Sequence, residues 1–259
     1  MVAGISFVDD LSHVHPGIRI SVHILAALTL VAGGLVVDRL ELPGLAIPVI
    51  PWAGAILTCL YVAWLVNLYN FMDGMDGFAG GMAVIGFGAF AVLGLMSGHW
   101  QFASISLIVA AAAGGFLLFN FPPARIFMGD LGASLLGFLV AGLSLWASAA
   151  VIFPIWVGVL IFSPFIVDAS YTLARRLGRR ERVWEAHKTH CYQRLVEHGW
   201  GHRKTVLWEY ALMMLCALSA VAAMHLDSGF QWALLSTWVV TYAILIAFVN
   251  LVGRSPDTT

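Results

Sequence analysis

The amino-acid sequence predicts an all-α, polytopic integral membrane protein with about eight transmembrane helices, on three observations. Of 259 residues, 61% are hydrophobic and only 10% are charged, against roughly 25% charged in a soluble domain. Mean hydropathy is +0.90 along the chain, and no polar stretch is long enough to fold by itself, which excludes a soluble globule carrying one anchor. Apolar runs of about 20 residues, the length of helix that crosses a bilayer core, recur from one end to the other. The three cysteines, Cys59, Cys191 and Cys216, show no CxxC or metal spacing, so neither a disulfide framework nor a zinc site is implied.

Taken in order, the predicted spans are 18–37, 48–66, 78–96, 102–119, 131–150, 152–173, 206–224 and 230–252. The division near 148–154 carries no charge, but the total length of the run demands two crossings. Eight crossings put Asp9, Asp73, Asp130, the basic loop 174–205 and the C-terminus on one side. That side holds twelve of the thirteen Lys and Arg residues, and only Arg39 lies opposite. The excess of positive charge places the crowded side in the cytoplasm. No fixed-period repeat or low-complexity linker suggests a second domain, and nothing points to a nucleic-acid partner.

Ionisable side chains beside a span are costly and therefore functional candidates, and here they gather at cytoplasmic helix ends. Asp9 and Asp10 precede the first span. Asn67, Asn70, Asp73 and Asp76 follow the second at a spacing of three, with Gly74 and Gly77 among them. Nine residues of straight helix would turn Asn67 and Asp76 to opposite faces, so the helix must end or tighten near Asn70. Asn120-Phe-Pro-Pro ends the fourth span, and Gly129-Asp130 opens the fifth. Each group also has a plain reading. Asp9-Asp10 could begin a solvated loop, the Asn-Asp string could be a capped turn, Asp130 could cap its helix, and the arginines at 175–182 could anchor the chain against anionic lipid. His187 and His190 lie at i, i+3 and read either as phosphate contacts or as loop histidines. Asp168, near the cytoplasmic end of its span, is either solvated or a supporting partner.

Carboxylates crowded at one membrane face repel one another unless a cation sits among them, and hard oxygen ligands suit Mg²⁺. The basic loop, with His187, His190 and His202, supplies the complementary charge. Carboxylates, a divalent metal and a cationic loop fit the transfer of a phosphorylated group.

The ordered set Asp9-Asp10, Asn67-x-x-Asn70-Phe-x-Asp73-Gly-x-Asp76-Gly77 and Phe127-Met-Gly129-Asp130-x-Gly132-x-Ser134, followed by a basic loop with histidines, resembles the polyprenyl-phosphate N-acetylhexosamine-1-phosphate transferases, glycosyltransferase family 4. The resemblance implies that a UDP-activated N-acetylhexosamine gives its sugar-1-phosphate to undecaprenyl phosphate in the bacterial cytoplasmic membrane, releasing UMP. Carried over by residue, it makes Asp130 the principal Mg²⁺ ligand, with Mn²⁺ as the alternative ion. Asp9 and Asp10 would position metal or acceptor phosphate, and Asp73 and Asp76 would serve the metal and nucleotide region, Asp73 as a second ligand. Asn67 and Asn70 fall in the same substrate region. Asn120 and Phe127 match positions that hold uracil, and His187, His190 and Arg194 fall in the family's histidine loop. The loop reads Glu185-Ala-His187-Lys-Thr-His190-Cys-Tyr192-Gln-Arg194 and lacks consecutive histidines, which favours the branch that starts O-antigen or other surface polysaccharides over peptidoglycan synthesis. Family members begin with about two further helices and a basic, glycine-rich loop before the Asp pair, so by the resemblance this chain lacks the family's N-terminal helices, either through a start placed too far downstream, the favoured expectation, or as a truncated copy. A non-catalytic lipid-carrier-binding remnant and an ion-coupled transporter are the competing expectations. Oligomeric state is not legible.

Overall fold

A computed structural model describes residues 1–12, 14–181 and 189–252. Two short helical segments come first, α1 (Val2–Leu11) and α2 (Pro16–Ala32). Pro16 at the first position of α2 has the right φ and no N–H to leave orphaned, and the His15 ring accepts from the Gly17 N–H at 3.1 Å. A hairpin follows, β1 (Arg39–Leu42) paired antiparallel with β2 (Leu45–Pro48). Then come α3 (Pro51–Met72), α4 (Phe78–Met96), α5 (Trp100–Asn120) and α6 (Gly129–Ala149). The second half holds α7 (Ile155–Ile161), α8 (Ser163–Gly178), α9 (Cys191–Leu195), a π-helical turn Val196–Trp200, α10 (Gly201–Ala223) and α11 (Ser228–Val252).

The all-α membrane architecture holds, and its count needs adjusting. Among the described residues six helices are long and apolar enough to cross a bilayer singly. The predicted span 152–173 is two helices, α7 and α8, bent by 81°. Pro164 lies in the first turn of α8 and cannot donate an N–H back into α7, so the apolar run cannot continue straight. The first predicted span, 18–37, supports only the 17-residue α2, because Gly33 and Gly34 close it. The predicted loop after it is the hairpin.

Between helices in lipid, close packing replaces the hydrophobic effect as the source of cohesion. Helix α3 packs on α2 and α6, α4 on α5 and α10, and α1 on α6. Near the carboxylate end, Phe165 of α8 meets Tyr69 of α3 at 5.1 Å and Phe78 of α4 at 4.7 Å between ring centroids. Tyr192 of α9 meets Phe78 at 4.7 Å. All four rings are fully buried, so this aromatic cluster ties four helices together. At the opposite end Glu41 of the hairpin accepts from Ser148 Oγ at 3.0 Å and the Ile155 N–H at 2.8 Å, holding α6 and α7 together. The 21 residues of α6 put that contact about 30 Å from Asp130.

Candidate active site

Helix α3 stays helical through Asn70 to Met72, and Asp73 caps it, one turn later than the sequence spacing implied. The turn to α4 depends on Gly77, whose φ of +76° few L-residues adopt. Its N–H donates to Asn120 Oδ1 at 2.8 Å and its carbonyl accepts from Tyr210 Oη at 2.6 Å. Asn120 also donates from Nδ2 to the Ile126 carbonyl at 2.9 Å. That one amide therefore holds the α3–α4 turn against the α5–α6 loop. Asp76 accepts the Ala124 N–H of that loop at Oδ2, 3.1 Å away, and His202 Nδ1 lies 3.3 Å from the same oxygen.

Helix α6 begins at Gly129, with φ +67°, and a Cβ there would lie 3.0 Å from Asp10 Oδ2. Asp10 uses that space, accepting the N–H groups of Asp130 at 2.9 Å and Leu131 at 3.2 Å. It is thus a cap supplied from α1 to the N-terminus of α6, where a negative charge also meets the positive end of the helix dipole. Asp9 accepts the Val14 N–H at 2.8 Å and pairs with Arg19 at 2.5 Å. Arg19 also reaches Asp130 at 3.3 Å, so one guanidinium joins two carboxylates. Sequence reading missed this role of Arg19. Its signal was a lone cation in the first turn of an apolar helix, ten residues from the Asp pair.

These contacts frame a pocket of about 400 Å³ lined by Asn70, Asp73, Asp76, Asn120, Phe127, Asp130 and His202, together with residues 74–75 and 128–129. Phe127 is 78% exposed, leaving its ring free for a planar group. Asn70 Oδ1 is buried without a hydrogen-bond partner. Burial, and then the charges of Asp130 and Asp10, push the Asp73 carboxyl up to about 7. A cation would relieve that repulsion. Among the described residues no three His, Cys, Asp or Glu side chains form a ready metal cage. Mg²⁺ takes one or two carboxylates and completes its shell with water and substrate phosphate. Asp73, Asp130 and the unpartnered Asn70 oxygen fit such a donor set.

Three other candidates lie elsewhere. Asn67 sits one turn deeper on α3, donating to the Ala63 carbonyl at 2.7 Å and facing His23 Nδ1 at 3.3 Å. His190 is buried at the start of α9 beside Asp168, 3.2 Å away. Arg194 donates to Asn250 Oδ1 at 2.8 Å and the Val249 carbonyl at 3.1 Å, fixing α11. None of the three lines the pocket. His187 lies outside the described residues. Asp168 is a hub: it also accepts from Thr172 Oγ1 at 3.1 Å and the N–H groups of Cys191 at 2.9 Å and Tyr192 at 3.1 Å.

The description "Glycosyl transferase family 4" matches residues 1–148. A probable undecaprenyl-phosphate N-acetylglucosaminyl 1-phosphate transferase of Bacillus subtilis is 32% identical over 96% of this chain and 69% of its own length. A decaprenyl-phosphate N-acetylglucosaminephosphotransferase of Mycolicibacterium smegmatis is 28% identical over 99% of this chain and 69% of its own. The phospho-N-acetylmuramoyl-pentapeptide-transferase of Geobacillus kaustophilus is 32% identical over 66% of this chain and 51% of its own. With acids from α1, α3 and α6 meeting at one membrane face and similarity extending along nearly the whole chain, the protein belongs to glycosyl transferase family 4.

Proposed function

We propose that the chain moves the sugar-1-phosphate of a UDP-activated N-acetylhexosamine onto undecaprenyl phosphate, releasing UMP and starting an O-antigen or another surface polysaccharide. The observation that carries this reading is the pocket itself, a polar cavity at the helix ends lined by Asp73, Asp130 and an exposed Phe127. The two relatives whose names specify N-acetylglucosamine transfer match 96% and 99% of this chain, while the muramoyl-pentapeptide enzyme matches 66%. That difference supports a polysaccharide-initiating role over peptidoglycan synthesis. The crowding of basic residues on the acid-bearing face supports a site open to the cytoplasm of a bacterial inner membrane.

In the reaction an oxygen of the lipid phosphate attacks the sugar-bearing phosphorus of the donor, and the bond from that phosphorus to UMP breaks. The attacking phosphate has a second pKa near 6 and needs no base at neutral pH. The barrier is the approach of anions. Mg²⁺, or Mn²⁺, held by Asp73 and Asp130, supplies charge neutralisation on the transferring phosphates when bound. Phe127 stacks the uracil. Asn120 keeps the two loops at the spacing that lets the base enter. Asp9, already bonded to Arg19 and the Val14 N–H, positions Arg19 and acts electrostatically.

The test is transfer of radiolabelled sugar phosphate to undecaprenyl phosphate by purified protein, with UDP-N-acetylglucosamine and 6-deoxy amino-sugar donors, each with Mg²⁺, Mn²⁺ or chelator. Metal-dependent label in the lipid phase with stoichiometric UMP is expected. Absence of transfer from every amino-sugar donor with either ion would refute the reading.

A further inference from the structure

The pocket has three carboxylates in its lining and, among the described residues, a single side chain able to carry positive charge, His202. The arginines at 175, 176, 179 and 180 do not line it. His202 stands in the first turn of α10 and is about half exposed. Its Nδ1 faces Asp76 Oδ2 at 3.3 Å. The same Asp76 oxygen accepts the Ala124 N–H at 3.1 Å, so the carboxylate is fixed to the loop that carries Phe127. A ring whose Nδ1 faces a carboxylate turns Nε2 away from it, and His202 and Asp76 both line the pocket. Asp73, Asp130 and Asn70 lie together in the lining, and Phe127 belongs to the loop that Asp76 holds at Ala124 and that Asn120, at the end of α5, holds at Ile126.

We infer that His202 is a substrate-binding residue whose Nε2 donates to the nucleotide's own phosphate, the one that departs as UMP, with Asp76 as the positioning residue that fixes the imidazole. The inference rests on the transfer reading above and extends it to the leaving group. With both nitrogens protonated the ring donates to Asp76 through one and to the phosphate through the other, a charge-assisted bond to an anion that otherwise sits among carboxylates. No covalent step is assigned to it. The contact grows in value as the bond to UMP breaks, because negative charge then accumulates on the departing phosphate.

Binding of uridine and of UMP to the purified full chain, measured by calorimetry with Mg²⁺ held constant, separates base recognition from phosphate recognition. Wild type is expected to bind UMP more tightly than uridine. His202→Ala should lose about tenfold in UMP affinity, the size of one charge-assisted hydrogen bond, and leave uridine affinity unchanged. Asp76→Asn should lose part of the same increment, and His202→Gln, which keeps one donor, should recover part of it. In turnover, His202→Ala should lower kcat and raise the KM for the UDP-sugar, with the KM for undecaprenyl phosphate unmoved. Thermal unfolding of each variant within a few degrees of wild type establishes that it is folded. If His202→Ala binds UMP as wild type does, the inference is overturned and the transfer reading stands. If wild type binds neither ligand and transfers nothing, the transfer reading falls and the inference with it.

Discussion

Two groups of acids sit at the same membrane face and are treated in opposite ways. Asp168 is surrounded by donors: a hydroxyl, an imidazole and two backbone N–H groups converge on it, and the result is the seating of α9. In the pocket, Asp73 and Asp130 face each other and Asp10 with Arg19 as the only cation paired to a pocket carboxylate oxygen apart from His202, among the described residues. A carboxylate whose lone pairs are met by protein donors is a structural part. One left in the company of other carboxylates is, on the proposed reading, arranged for a cation and an anionic substrate that arrive later.

The contrast is broken most severely at Asp130. Asp130→Asn should lower transfer by roughly 10³-fold, the scale of removing a principal charge-stabilising group, while melting changes little; a transfer assay beside a melting curve reads both. At Asp168 the outcome should invert. Asp168→Asn leaves the Cys191 and Tyr192 N–H groups competing for one oxygen, with an expected loss of about 3 kcal/mol in stability. Denaturation in detergent would detect it, and any loss of transfer should follow the loss of folded protein.

Asp73 sharpens the contrast through pH. Its folded carboxyl is raised to about 7, above about 3.9 for an unfolded Asp, so the folded state holds the proton more tightly. Stability from this group is therefore present below about pH 4, falls as pH rises, and is fully lost above about pH 7. Asp73→Asn should raise the melting temperature of metal-free protein at pH 8 by a few degrees and flatten its dependence between pH 4 and 7, while transfer is lost. Melting across that range, with and without Mg²⁺, checks the sign. The smallest effect is expected at Asp10, where Asp10→Ala removes an acceptor from the first turn of α6 at a cost of about 1 kcal/mol. A melting shift larger than that of Asp168→Asn would reverse the ranking.

Much of this was legible beforehand. The apolar helices and the acids at helix ends follow from hydropathy and charge position, and Asp73, Asp76 and Asp130 do line one pocket, with Asp10 beside it at the start of α6. Pairing across distant segments was not legible. Asp10 caps a helix that begins 120 residues later, and Arg19 joins two acids that the chain keeps apart. His190 and Arg194 fall in the family's histidine loop by resemblance, and only the structure shows that they face Asp168 and α11. The bend between α7 and α8 was hidden because hydropathy records only whether a residue suits lipid, not the direction of the helix axis.

The sequence by itself determined that this chain lives in a bilayer, which face carries its charge, and that the acids lie where helices stop. These are local properties, set by the cost of polar groups in hydrocarbon and by the residues that end helices. Only the tertiary structure decided which acids share a pocket and which are spent on holding α9 and α6 in place. That choice depends on which donors arrive from distant segments, and a carboxylate's role follows from the partners it is given.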